Sequence, residues 1–228
     1  MEVYLNRQNR QDYFKTQIEA SRRKFNYCKV SVACVERFRE VISRSSQGGI
    51  KGPILCLGTR NGREVDIFRK IFFANRWNRW MARLLEKHEY CSSSRLPLIE
   101  SLGRSRLVEI DEKSVVGVEI NPDGKRRDVL ICSFDELPQE WEKKFKIIYS
   151  NTLDHAYDPY LAAKEWYRVL SPGGYIILGY AEEEREASLL DPVGNVTLED
   201  LRSLFPGELI YFNRFGNALG DVIIKKKA

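Results

Sequence analysis

Directly after the apolar run Ile54-Leu55-Cys56-Leu57, the chain reads Gly58-Thr59-Arg60-Asn61-Gly62-Arg63-Glu64. A bend with glycine at each end, set between a buried strand and a helix, lets backbone N–H groups approach a ligand closely. Far downstream, Glu119 closes the run Val115-Val116-Gly117-Val118 and is followed by Asn121-Pro122-Asp123-Gly124, a cluster of turn formers. A carboxylate at such a strand end accepts two hydrogen bonds from adjacent hydroxyls. Asp154 and His155 lie in the segment after a third apolar run, Phe145 to Ser150. An imidazole, with an unperturbed pKa of about 6.5, is suited to accepting a proton near neutrality, and Asp154 is a second candidate for that task.

Three nucleotide-binding chemistries compete for the glycine bend. A phosphate-cradling P-loop requires Lys followed by Ser or Thr after its second glycine, where this chain has Arg63-Glu64. A dinucleotide fingerprint requires G-x-G-x-x-G with an acid about 20 residues on. Here Arg60 occupies the second glycine position and Glu119 lies much further away. S-adenosylmethionine has no pyrophosphate and makes no demand for three close glycines, but it does require an acid for its ribose hydroxyls, which Glu119 supplies. A metal is not expected, because His88 and Cys91 form a lone pair of soft ligands without a second pair.

The elements that must position these residues alternate from Pro53 onward between short apolar runs and helical patterns, the signature of a mostly parallel sheet with helices on both faces. Strands are predicted at 54–58, 115–119, 128–132, 145–150, 175–178, 208–212 and 221–224, the last two as an antiparallel hairpin at one sheet edge. Helices are predicted from Gly62, from the Asp158-Pro159 cap and start, and over about 197–204. The link 120–127 is too short for a crossover helix. Residues 73–113 fit neither a crossover helix nor a simple loop and read as an insertion. Residues 1–50 read as two helices, about 8–25 and 31–44, forming a cap before a cofactor-binding domain over 51–228.

In this order the runs ILCLGTRNGRE, VVGVEINP, DVLICSFDELP, FKIIYSNTLDHAYDP and EWYRVLSPGGYIIL resemble the motifs of class I S-adenosylmethionine-dependent methyltransferases, particularly the type 11 group, from about Pro53 to Tyr180. The resemblance implies an α/β Rossmann-like, doubly wound seven-stranded sheet of order 3-2-1-4-5-7-6, parallel with one antiparallel edge strand. It also assigns the cofactor contacts. Gly58, Thr59, Arg60, Asn61 and Gly62 would hold the methionine portion, Glu119 with Ile120 the ribose, Ser133 and Phe134 the adenine edge, and Asn151 would lie beside the methionine moiety. Two positions depart from the family: Cys56 stands where an acid is frequent, and Ser133 where Asp is usual.

Three functions follow for comparison. The first is methyl transfer to a small-molecule acceptor, with His155 or Asp154 removing its proton. A weaker alternative is RNA or another macromolecule, suggested by net positive charge in the first 51 residues and in 69–113, where Trp77, Arg79, Trp80 and Arg83 interleave. The third is a non-catalytic scaffold, suggested by Cys56 and Ser133. The 228 residues carry a net charge of +5, 43% hydrophobic residues and five cysteines without a CxxC pair. With no apolar stretch long enough to span a bilayer and no signal-like opening, they point to a cytoplasmic protein without membrane partners or a disulfide framework. The oligomeric state is not legible.

Overall fold

The run after Pro53 forms β1 (Ile54–Leu57), buried at every position. It sits inside the sheet because both of its faces are apolar: Ile54 and Cys56 join one core cluster, Leu55 and Leu57 the other. The computed structural model describes residues 1–4, 9–46, 52–73, 110–179, 186–215 and 218–228. The further strands are β2 (Val115–Glu119), β3 (Val129–Ile131), β4 (Phe145–Ser150), β5 (Leu170–Gly179), β6 (Gly207–Phe215) and β7 (Ala218–Lys226). Their order in the seven-stranded sheet is β3-β2-β1-β4-β5-β7-β6. All neighbours from β3 to β5 pair in parallel, while β7 is antiparallel to both β5 and β6.

This is the expected order, with one refinement: the reversed strand lies one place in from the edge. Val222, Ile223 and Ile224 of β7 are buried, whereas Phe212 of β6 is 45% exposed, so the more apolar member of the hairpin takes the interior position. Ser171-Pro172-Gly173-Gly174, which precedes the strand predicted at 175–178, is absorbed into β5. Leu170 pairs with Phe145 and the register shifts before Ile147 and Tyr175. Gly173 allows this by adopting φ +64°. Between β2 and β3 there is only a 3-10 turn, Pro122–Gly124.

Helices α2 (Val32–Ser45) and α3 (Arg63–Phe73) cover the Cys56 face, and Val35, Phe38 and Ile42 of α2 are fully buried there. Helices α4 (Pro159–Val169) and α5 (Leu198–Leu204) cover the Leu57 face around Trp166. The predicted α4 start is present: Asp158 accepts from the N–H groups of Tyr160 and Leu161, with Pro159 at the first helical position. Helix α1 (Arg10–Arg23) buries only Tyr13 over its 14 residues. A two-stranded ribbon of Glu2–Val3 with Val193–Gly194 completes the structure.

Residues 74–109 lie outside the described residues, and with them most of the expected insertion, including Trp77, Trp80, His88 and Cys91. Cys28, Cys34, Cys56 and Cys132 are free thiols. Among the described residues no helix is long and apolar enough to cross a membrane.

Candidate active site

The strand order reverses between β1 and β4, which leaves a crevice at their carboxyl ends. The glycine bend forms its floor. Gly58 and Gly62 adopt φ +73° and +78°, and Arg60 adopts +47°, a left-handed conformation uncommon for a residue with a side chain. The N–H groups of Gly58 and Thr59 donate to Val118 O at 2.8 and 3.2 Å. A Cβ on Gly58 would come within 2.4 Å of Thr152, so the backbone of β1 meets the β4 loop with no room to spare. Arg126 braces the far end of the bend: its guanidinium donates to Asn61 O and Gly62 O at 3.3 and 3.2 Å while pairing with Asp66 and Asp128.

Glu119 is 3% exposed and ties this bend to β2. Its Oε2 accepts from Arg60 N at 2.6 Å and its Oε1 from Asn121 N at 2.9 Å. Burial pushes its carboxyl above the usual range, opposed by these two amides and the Arg60 charge. Each oxygen keeps a second lone pair for a ligand hydroxyl.

The crevice is open to solvent and spans about 660 Å3 of free space, part of it solvent. Gly58, Arg60, Glu119, Ile120, Ser133 and Phe134 line one side, with Thr152 and His155 at the β4 end. Phe134 is fixed from behind, its carbonyl accepting from Trp166 Nε1 at 3.1 Å and its ring meeting the indole edge-on. The opposite wall is α1, through Tyr13, Phe14, Gln17, Ala20, Ser21 and Lys24.

His155 ends a 3-10 turn, Leu153–His155. Its backbone carbonyl accepts from the Tyr13 hydroxyl at 2.9 Å. Its Nδ1 lies 2.9 Å from Asp191 Oδ1 and 3.2 Å from Leu190 O, and its Nε2 lies 4.0 Å from Asp154 Oδ1. Burial works against the imidazolium, yet the Asp154 and Asp191 carboxylates outweigh it and hold the ring's pKa above its ordinary value.

Seven of the expected site residues therefore meet in one crevice: Gly58, Arg60, Glu119, Ile120, Ser133, Phe134 and His155. The others stand around it. Thr59 is buried, its hydroxyl without a hydrogen-bond partner. The Asn61 side chain accepts from Arg63 N, and Gly62 packs under Arg126. Asn151 and Asp154 line a smaller cavity with Lys29, Ser150, Leu153, Leu178 and Gly179, where Asp154 Oδ1 makes no hydrogen bond. Sequence reasoning had the amino-terminal helices as a cap over the acceptor pocket without naming the α1 residues that line it, and it missed Thr152, Arg126 and Asp191. It also missed Glu64, which is buried beside Cys28 with one carboxylate oxygen unpartnered and its pKa pushed up to about 7 by burial. The only local signal for Glu64 was an acid within the glycine motif.

A family model described as a methyltransferase domain, of the type 11 group, matches residues 97–178, which span β2 to β4, α4 and all but the last residue of β5. Residues 97–178 thus carry the pattern of a methyltransferase domain. Similar solved structures share the fold of this chain. The 1,6-didemethyltoxoflavin-N1-methyltransferase of Burkholderia thailandensis, solved with 1,6-didemethyltoxoflavin and S-adenosylhomocysteine, has a TM-score of 0.58 and 13% identity, covering 100% of this chain and 94% of its own. The [4+2]-cyclase SpnF has a TM-score of 0.52 and 11% identity, covering 100% and 98%. No curated protein sequence matches the chain. S-adenosylmethionine is the cofactor that the resemblance implies. The crevice fits that molecule: it offers a buried carboxylate with spare lone pairs, Glu119, beside a lining of Gly58, Ile120 and Phe134.

Proposed function

We propose that this protein is an S-adenosylmethionine-dependent methyltransferase, that it acts on a small-molecule acceptor that carries an N–H or O–H proton, and that His155 removes that proton. Glu119 and Ile120 hold the cofactor's ribose, the Gly58–Gly62 bend its methionine portion, and Ser133 with Phe134 the adenine edge. When bound, S-adenosylmethionine supplies a methyl carbon made electrophilic by its sulfonium. The chain's own contribution is then to align an acceptor, exclude water and take up one proton. Asn151 and Asp154 bound the smaller cavity next to the His155 turn, on the acceptor's side. In this reading residues 1–50 are the cap and 51–228 the cofactor-binding domain, with α1 the part of the cap that roofs the crevice.

The observation that carries the reading is His155 itself, an imidazole lining the same crevice as Glu119 and Gly58 and held above its ordinary pKa by flanking carboxylates. The α1 wall favours an acceptor of small size, because six of its side chains line the opening. The toxoflavin methyltransferase, of the same fold, binds a small heterocycle.

The test supplies methyl-labelled S-adenosylmethionine with separated metabolite, RNA and protein fractions. Label is expected in the metabolite fraction. His155→Ala is expected to lower turnover by about 100-fold or more, the usual range for a general base, while S-adenosylhomocysteine affinity stays within about twofold. Label confined to RNA or protein, or full turnover by the Ala variant, refutes the proposal.

A further inference from the structure

Asp191 lies between β5 and α5, in a stretch where no periodicity or motif marks it. It is nonetheless held in place. Ser188 and Asp191 close a turn on each other through Ser188 N to Asp191 O at 2.8 Å and Asp191 N to Ser188 Oγ at 3.1 Å. Next to this turn, Tyr4 N donates to Pro192 O at 2.7 Å, and Glu2–Val3 pairs with Val193–Gly194. Gln17 of α1 donates to Leu190 O. The turn thus presents two acceptors, the Asp191 carboxylate and the Leu190 carbonyl, to the same ring nitrogen, His155 Nδ1.

Neither acceptor carries a proton to give, so Nδ1 must hold one in both charge states of the ring. The hydrogen bond made by one imidazole nitrogen decides which nitrogen is left basic. The structure assigns Asp191 as a positioning residue for the methyl-transfer reaction: by accepting Nδ1–H it fixes the His155 tautomer whose free lone pair is on Nε2, the nitrogen that takes the acceptor's proton.

This inference rests on the role given to His155 above. The balance of the step is simple. The proton of the acceptor's N–H or O–H moves to Nε2, the bonding pair stays on the acceptor as its nucleophilic pair, and the imidazolium later returns the proton to water. During the step, Asp191 stabilises the transient imidazolium.

The titratable groups packed against the ring are Asp154 on its own turn, Asp191 on the 188–191 turn and the Tyr13 phenol of α1, whose proton burial retains. Lys24 and Arg60 are the cations lining the crevice. Asp154, His155 and Asp191 also make up a trio with spacing that a metal ion accepts. Their arrangement argues against that use, because the two carboxylates address different nitrogens of the ring.

The chain's two histidines make the test direct. Long-range 1H–15N spectra of the full-length protein, with His88→Gln identifying the His155 signals, read both tautomer and pKa without an acceptor. The expected wild-type result is Nδ1–H in the neutral ring. Asp191→Asn is expected to lower the His155 pKa by about one unit, a tenfold loss of proton affinity, and to admit the Nε2–H tautomer, with Asp191→Glu restoring part of both. Asp154→Asn is expected to lower the pKa while leaving the tautomer in place. A wild-type Nε2–H tautomer overturns the inference even if no variant folds, and so does an Asp191→Asn spectrum unchanged from wild type. Saturable movement of the His155 signals on adding zinc to chelator-treated protein overturns it in favour of a metal site. S-adenosylhomocysteine affinity of the same samples reports separately on the cofactor reading. Full turnover by His155→Ala removes the base itself, and this inference with it, whatever the spectrum shows.

Discussion

Replacing Glu119 by Gln preserves shape and removes charge, which separates its two tasks. In the folded protein the carboxylate accepts from Arg60 N and Asn121 N. A Gln side chain keeps one acceptor and turns an NH2 donor toward the other amide. A lost hydrogen bond to a charged group costs roughly 1.5–3 kcal/mol. Opposing this, burial already pushes the Glu119 carboxyl up, so a neutral side chain escapes part of that penalty. The two effects nearly cancel for folding, and the Gln variant is expected within about 1 kcal/mol of wild type, a Tm change of roughly 2–4 °C at this length. No such offset protects cofactor binding, where a charged acceptor for ribose hydroxyls becomes a neutral one. Losing roughly 1.5–3 kcal/mol there weakens binding about 10- to 100-fold. Glu119→Ala differs, because it leaves two buried N–H groups without their acceptor and is expected to lose about 2–5 kcal/mol of stability as well. Calorimetric titration with S-adenosylhomocysteine and thermal unfolding of the same three proteins give both numbers. A Gln variant that binds within about threefold of wild type, or that is destabilised as much as the Ala variant, shows that the carboxylate serves the fold and not the cofactor.

Two further outcomes follow from packing and burial. An added methyl at Gly124 would lie 2.1 Å from Arg60 O and 3.0 Å from Glu119 Cγ, so Gly124→Ala must displace the glycine bend. It is expected to cost about 1–3 kcal/mol and to weaken S-adenosylhomocysteine binding, whereas Gly173→Ala, strained by φ +64° but far from the crevice, should lower Tm alone. Equal affinities for the two variants would contradict the account of the bend. Glu64 prefers its proton in the fold, with a pKa of about 7 against 4.5 in the unfolded chain, so the stability tied to its neutral form is complete below 4.5 and lost as pH rises through about 7. Glu64→Gln mimics the neutral form and should be the more stable protein by on the order of 2 kcal/mol at about pH 8, with little difference at about pH 5. Parallel urea curves for the two proteins across that interval would count against a buried, ionisable Glu64.

The legible parts of this molecule were those written in short stretches of chain. The glycine bend, Glu119 at its strand end and the Asp158-Pro159 helix start each consist of adjacent residues whose local chemistry is their signal. The sheet was legible because Ile54, Leu55, Cys56 and Leu57 are apolar on both faces, which only an interior parallel strand requires. Contacts made across long separations left no such trace. Tyr13 meets His155 across 142 residues, and Arg126 reaches Asn61 across 65. Asp191 sits in an irregular segment whose shape comes from pairing with the first residues of the chain. Helix α1 was visible as a helix, but with Tyr13 its only buried residue no apolar stripe showed which surface it would cover. The two departures from the family pattern also have local explanations: Cys56 is fully buried in the α2–α3 core, and Ser133 Oγ accepts from Asp135 N within its own turn.

Helices α1 and α2 are of equal length, yet they are anchored by different physics. Val35, Phe38 and Ile42 bind α2 to the sheet by hydrophobic burial. Beyond Tyr13, α1 is fastened by polar links near solvent: Arg22 to Asp123, Arg10 to Glu136 and Gln17 to Leu190 O. Exposed ion pairs of this kind contribute about 0–1 kcal/mol each. Lifting α1 is therefore expected to cost far less than unfolding the domain. Substitutions along the outer links of α1 are accordingly expected to change the rate of S-adenosylhomocysteine release, read by stopped-flow dissociation, while the melting temperature stays almost where it was.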